Sequence, residues 1–200
     1  MSIVARVWPK VDAVVVGASA GGVDALLSLL PHWRAGGPVL LLALHRAARQ
    51  AEGDSLAELL ARVCPAPVAD AWSGQPLRRG DVVLAPADYH LLIDRGPVAA
   101  LSVDEPVLWS RPAIDPLFDS AAAVFGPRLL GIVLTGASAD GSAGARTLRE
   151  AGGELWVQQP DEATADAMPR AALDLAGADR VLTLHQMAQA FDPHELLENR

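Results

Sequence analysis

The sequence predicts an α/β fold of the doubly wound kind, a mostly parallel sheet between two helical layers. Three observations carry that expectation. The short apolar run Val11-Asp12-Ala13-Val14-Val15-Val16 meets a small-residue turn, Gly17-Ala18-Ser19-Ala20-Gly21-Gly22, and a one-face helical stripe of Val23, Leu26, Leu27 and Leu30 follows. Val39 to Leu44 is apolar at every position, as in a strand buried on both faces of a parallel sheet. The same alternation of strand and helix resumes after Arg111-Pro112.

Taken in order, Pro31 and Gly36-Gly37-Pro38 end the first helix, and the second strand runs from Val39 to its terminus at His45. Ser55-Leu56-Ala57-Glu58 spells a capping box for a helix whose inner face is Leu56, Leu59, Leu60 and Val63, stopped by Pro65. Residues 68–103 break the rhythm. Val82 to Ala85, Tyr89 to Asp94 and Val98 to Val103 are spaced as a small antiparallel excursion at the sheet edge, near residues 80–103. Ile114, Leu117, Phe118, Ala121 and Phe125 form the next helical face, and Leu129 to Leu134 a further buried strand. Thr135 to Gly141 is a second small-residue turn, followed by a helix with Ala145 and Leu148 inward and the strand Leu155-Trp156-Val157. A helix over Met168 to Leu175, a strand over Val181 to Leu184 and a helical tail from His185 complete the pattern. With no repeat, linker or low-complexity run, 1–200 reads as one domain with its core at about 11–190.

Composition narrows the function classes. Hydrophobic residues make up 51% and aromatics 4%, so the core is aliphatic. A net charge of −8 with no basic run argues against nucleic acid or an anionic membrane surface as partner. The single cysteine, Cys64, forms no internal disulfide or multi-thiolate metal site, and its expected role is packing at a helix end. No metal site is expected, since no His/Cys/Asp/Glu cluster has ligand spacing. The N-terminus lacks the apolar region of a signal peptide and no run is long enough to span a bilayer, so the expectation is a soluble cytoplasmic protein without membrane insertion.

Three strand ends carry polar residues: Ser19, His45 and Asp140. Ends of different strands in one parallel sheet converge on one crevice, so their separation in sequence is no obstacle. Acyl transfer needs a hydroxyl, an imidazole to take its proton, and a carboxylate to orient the imidazole. It also needs N–H donors for the developing oxyanion, and the turns after the strands offer those of Ala20 and Ala137. Gly17-x-Ser19-x-Gly21 further spells a nucleophile elbow. Each residue alone has a plainer reading: Ser19 as a helix N-cap, His45 as a semi-buried core histidine, Asp140 as a cap of the helix after it. Asp161-Glu162 reads as a charged turn before it reads as an acid/base pair, and His32, His90, His185 and His194 are weaker candidates for a base. The order Ser, His, Asp differs from the Ser, acid, His order of ordinary α/β-hydrolases.

These residues resemble the chemotaxis-receptor methylesterases, the CheB-type protein-glutamate methylesterases. The likeness rests on Gly17 to Gly22, the strand ending at His45, Leu134-Thr135-Gly136 with Asp140-Gly141, and Leu84-Ala85-Pro86 with Asp88 and His90. It extends to Arg111 through Phe118 with Ser120, Asp161 to Ala165, and Met168 to Ala172, in family order over roughly 11–190. The resemblance implies hydrolysis of glutamate γ-methyl esters on the cytoplasmic helices of chemoreceptors, with deamidation of glutamines in some members and with no metal or organic cofactor. Ser19 would be the nucleophile, His45 the base and Asp140 the orienting carboxylate. Gly17, Gly21 and Gly22 would then give clearance for a helical substrate. Two departures stand out: Ala137-Ser138 replaces Met-Gly, and Arg46-Ala47 replaces Met-Pro, which would set Arg46 and Arg49 against an acidic receptor helix. With no receiver domain ahead of it, the chain is expected to be a stand-alone esterase domain, with any regulator acting in trans.

Two rivals remain at this point. The glycine turn after a strand suits an NADP-type nucleotide module, although Ser19 stands where the middle glycine belongs and His45-Arg46 where an acid would bind ribose. A non-catalytic interaction domain on the same fold is the other.

Overall fold

The computed structural model describes residues 10–33, 35–46 and 55–191. The chain runs β1 (Ala13–Ala18), α1 (Gly22–Leu29), β2 (Val39–Leu44), α2 (Leu56–Ala61), β3 (Val68–Asp70), β4 (Gln75–Pro76), β5 (Val82–Leu84), β6 (His90–Asp94) and β7 (Val98–Ser102). It continues with α3 (Ile114–Phe125), β8 (Leu129–Val133), α4 (Ser142–Glu150), β9 (Glu154–Gln158), α5 (Ala167–Ala176), β10 (Arg180–Leu182) and α6 (Leu184–Phe191). A seven-stranded sheet in the order β10-β9-β8-β1-β2-β5-β3 is parallel at every pairing. A separate antiparallel sheet, β4-β7-β6, lies beside it.

The two cores follow from period-two alternation along the strands. Val14, Val16 and Ala18 of β1, with Leu40, Leu42 and Leu44 of β2, face α1, α2 and α6. Ala13, Val15, Leu41 and Ala43 face α3, α4, α5 and the apolar side of β6-β7. The first layer is closed by the few aromatics: Phe191 packs edge-on to Trp33 and stacks on Trp156. Ser55 and Glu58 form the expected capping box on α2, and Cys64 packs half-buried beyond that helix.

Two local expectations are corrected. Val82 to Leu84 is a buried strand of the parallel sheet between β2 and β3, not part of the excursion, which consists of β4, β6 and β7. Its three residues are buried without alternation, the mark of a strand covered on both faces. β1 also extends through Gly17 and Ala18, which pair with Ala43 and Leu44 of β2, so the turn begins only at Ser19.

The strand order places β1 between β2, reached by one crossover, and β8, reached much later in the chain. Successive connections leave β1 in opposite directions there, which opens a crevice at its carboxyl end. Ser19, His45 and the Thr135–Asp140 loop follow β1, β2 and β8 at that edge.

Candidate active site

Asp140 is fully buried, and four N–H groups converge on its carboxylate. Oδ2 accepts from His45 Nε2 at 2.6 Å and from the Ile114 amide at 2.6 Å. Oδ1 accepts from the Asp115 amide at 3.0 Å and from Gly141 at 2.9 Å. All four partners are donors, as an acceptor-only ionised carboxylate requires. The Ile114 and Asp115 amides open α3, whose N-cap Ala113 has no side chain able to cap it. Asp140 therefore caps a helix distant in sequence. The plainer reading, that it caps the helix after it, fails because the N-cap of α4 is Gly141 without any side-chain bond.

His45 follows β2, with its backbone N–H on Ala18 O at 3.1 Å, so it stands one strand away from Ser19. Because Nε2 is the nitrogen that meets Asp140, the neutral ring carries its proton there and leaves Nδ1 as acceptor. That reverses the nitrogens of the serine-protease triad, where Nδ1 meets the aspartate. Nδ1 lies closer to the backbone, which suits a serine on the adjacent strand.

Ser19 is half-buried, and its amide donates to Thr135 O at 2.9 Å. Among the described residues its hydroxyl makes no hydrogen bond, so the Ser19–His45 bond that a closed triad would show is not formed. A hydroxyl rotates freely about its one side-chain torsion, and such bonds commonly tighten only when substrate is bound. Ser19 is not an N-cap either, since α1 is capped by Gly21 with no side-chain bond. The left-handed residue of the turn is Gly21, at φ 79°, whereas Ser19 keeps a negative φ. The turn thus differs from a strained elbow centred on the serine.

The glycines serve internal packing rather than substrate clearance. A Cβ on Gly17 would lie 2.3 Å from Ile114 Cγ2, and one on Gly21 would lie 2.6 Å from Thr164 Cβ. Thr164 thereby fills the space over the turn into which a pyrophosphate would have to descend. The segment carrying it is tied to the β8 loop: Thr135 Oγ1 donates to Ala20 O at 2.8 Å and accepts from Ala165 N at 2.9 Å. Gly136 N–H is consumed by Ala165 O at 2.9 Å. The amides of Ala20 and Ala137, both on exposed residues, take part in no hydrogen bond among the described residues. Ser138, at the family's glycine position, turns its hydroxyl to the Asp140 amide at 3.3 Å.

Other candidates have structural partners. Glu162 accepts from Gln158 and the Leu184 amide, Asp161 pairs with Arg170, and both acids are exposed, so they are a braced turn. His90 is buried, with Nε2 on Glu105 O and Nδ1 accepting from the Ala113 amide, both at 3.2 Å. It braces the residue that precedes α3, a role that no periodicity in the sequence signals. His32 and His185 are exposed, while Arg49 and His194 lie outside the described residues. Arg46 is neither a solvated nor a free cation: its side chain is 11% exposed, and Nη2 bonds Asp70 Oδ1 and Ala85 O. Among the described residues no cluster is arranged to hold a metal ion, and no helix is long and apolar enough to cross a membrane.

Beside His45 opens a cleft of about 450 Å³, bordered by Arg46, Asp88, Trp109, Ser110 and Arg111.

Residues 14–191 match the family model described as CheB methylesterase. A Leptospira interrogans relative assigned as a protein-glutamate methylesterase/protein-glutamine glutaminase is 34% identical over 180 residues, covering 90% of this chain and 93% of its own. An Anaeromyxobacter dehalogenans protein of the same name is 38% identical over 181 residues, 90% of this chain but only 52% of its own length. The crystal structure of the Thermotoga maritima CheB methylesterase catalytic domain superposes with a TM-score of 0.84 at 25% identity, covering 94% of this chain and 99% of the other.

Proposed function

We propose, from the premise that this chain belongs to the CheB methylesterase family, that it hydrolyses glutamate γ-methyl esters in protein substrates through Ser19, His45 and Asp140. The observation that carries the mechanism is the 2.6 Å contact between His45 Nε2 and Asp140 Oδ2, in the segments that follow the two strands flanking β1.

In the first half-reaction His45 Nδ1 takes the Ser19 proton as Oγ attacks the γ-carbonyl carbon. The imidazolium formed is stabilised by the Asp140 carboxylate, whose four N–H partners hold it in place. The Ala20 and Ala137 amides, which make no hydrogen bond among the described residues, are the donors assigned to the oxygen that gains charge. Collapse of the tetrahedral adduct breaks the bond to the methoxy oxygen, which leaves as methanol with the proton from His45. Water, deprotonated by the same nitrogen, then attacks the acyl-serine and releases the glutamate side chain. A glutamine amide follows the same course with ammonia as leaving group, in keeping with the double name of the relatives. The substrate class we infer is the methylated cytoplasmic helices of chemoreceptors.

The test is methanol release from methylated receptor membranes by the purified chain and by Ser19→Ala. Release by the parent and none by the variant is expected; equal release by both would overturn the mechanism.

A further inference from the structure

The cleft beside His45 holds two guanidinium groups whose hydrogen-bonding capacity the protein does not use up. Arg111 gives Nη1 to the carbonyl oxygens of Val103 and Asp104, at 2.9 and 3.1 Å, and its Nε is shielded from solvent without a partner. No carboxylate pairs with Arg111 among the described residues. Arg46 Nε is likewise shielded and unpartnered, and its one acid, Asp70, sits 3.1 Å from Nη2 on a side chain that is 41% exposed. In a chain with 24 acidic and 16 basic residues, a half-buried arginine with no acid partner stands out. Burying a guanidinium costs free energy unless an anion answers it, and one supplied from outside would do so.

Each guanidinium keeps one terminal nitrogen, Nη1 of Arg46 and Nη2 of Arg111, outside any hydrogen bond among the described residues, and these are the donors an incoming carboxylate would meet. Trp109 borders the cleft and is 98% exposed; it and the preceding Leu108 are successive residues with positive φ, at 68° and 46°. A bulky residue adopts that backbone at a cost, and here it projects an aromatic ring beside the two cations instead of into the core.

We propose that this cleft is a substrate subsite that binds an unesterified carboxylate side chain of the same polypeptide, beside the ester presented to Ser19. The inference rests on the esterase reading of the site and names what that site selects. The chain then distinguishes substrates by the acid next to the ester. Arg46 and Arg111 clamp that acid, and Trp109 covers the adjoining backbone.

The experiment uses two peptides that carry a glutamate γ-methyl ester and differ only in a neighbouring glutamate or glutamine. Binding of each to the Ser19→Ala chain is titrated at fixed ionic strength. Tighter binding of the acidic peptide by about tenfold is expected, with the ratio collapsing towards one in Arg46→Gln and Arg111→Gln on that background. Equal affinity of the two peptides for the otherwise unaltered cleft would overturn the proposal, even if Arg111→Gln failed to fold. A preference that survives Arg46→Gln and a folded Arg111→Gln would overturn it too. Methanol release by the parent chain is measured separately, so loss of the esterase reading and loss of the subsite are read from different signals.

Discussion

His45 Nε2 lies 2.6 Å from Asp140 Oδ2, and the same oxygen accepts the Ile114 amide at 2.6 Å. One carboxylate therefore orients the candidate base and caps α3. On the proposed mechanism, a change there should act on chemistry and stability together, while a change at Ser19 should act on chemistry alone.

Asp140→Asn tests the first half of that contrast. An amide offers one acceptor oxygen and an NH₂ group that faces N–H donors, so two of the four partners lose their acceptor. We expect methanol release to fall about a thousandfold or more and the fold to lose about 2 kcal/mol. Steady-state kinetics with denaturant unfolding checks both.

Ser19→Ala is the counterpart. Among the described residues the hydroxyl makes no hydrogen bond, and α1 is capped by Gly21, so stability should stay within about 0.5 kcal/mol of the parent while turnover disappears. A large fall in melting temperature would mean that Ser19 has a structural partner after all.

Gly17 joins the turn to the cap of α3. An alanine Cβ there would sit 2.3 Å from Ile114 Cγ2, at the residue whose amide holds Asp140. Overpacking of this kind costs about 1–3 kcal/mol, and Gly17→Ala should also slow turnover by displacing the cap. Ile114→Ala removes the obstructing methyl. A double-mutant cycle should show coupling of at least about 1 kcal/mol, and additive effects would place the strain elsewhere.

What could be read from the sequence was local, and what could not was pairing. Alternating apolar residues announced the strands, Ser55 and Glu58 announced the α2 cap, and small residues after β1 and β8 announced the loops. Ser19, His45 and Asp140 could be singled out as candidates because each is a polar residue at or shortly after the end of a buried strand. Nothing local links Asp140 to Ile114, or His90 to Ala113, because those bonds depend on how α3 lies across the sheet. Val82 to Leu84 went to the wrong sheet because three buried residues carry no sign of their partner. The glycines suggested open space, yet the neighbours that fill it, Ile114 and Thr164, come from far along the chain.

Asp115 gives a prediction with a defined pH window. Its carboxyl group is half-buried and accepts from the Gly144 amide at 2.7 Å. Burial raises its pKa from 3.8 to about 6; the Gly144 bond opposes the shift, and the charges of Asp140 and Asp119 add to it. The folded chain then holds this proton more tightly than the unfolded chain between pH 3.8 and about 6. Stability from this group is full below that window, declines as pH rises through it, and stays reduced above it. Asp115→Asn keeps an oxygen for Gly144 and removes the titration. With allowance for the side chain's partial exposure, the variant should be more stable than the parent by about 1 kcal/mol at pH 7. The difference should shrink towards zero as the pH falls to 4. Melting temperatures of both chains across that range test it, and parallel curves would show that Asp115 titrates alike in the folded and unfolded states.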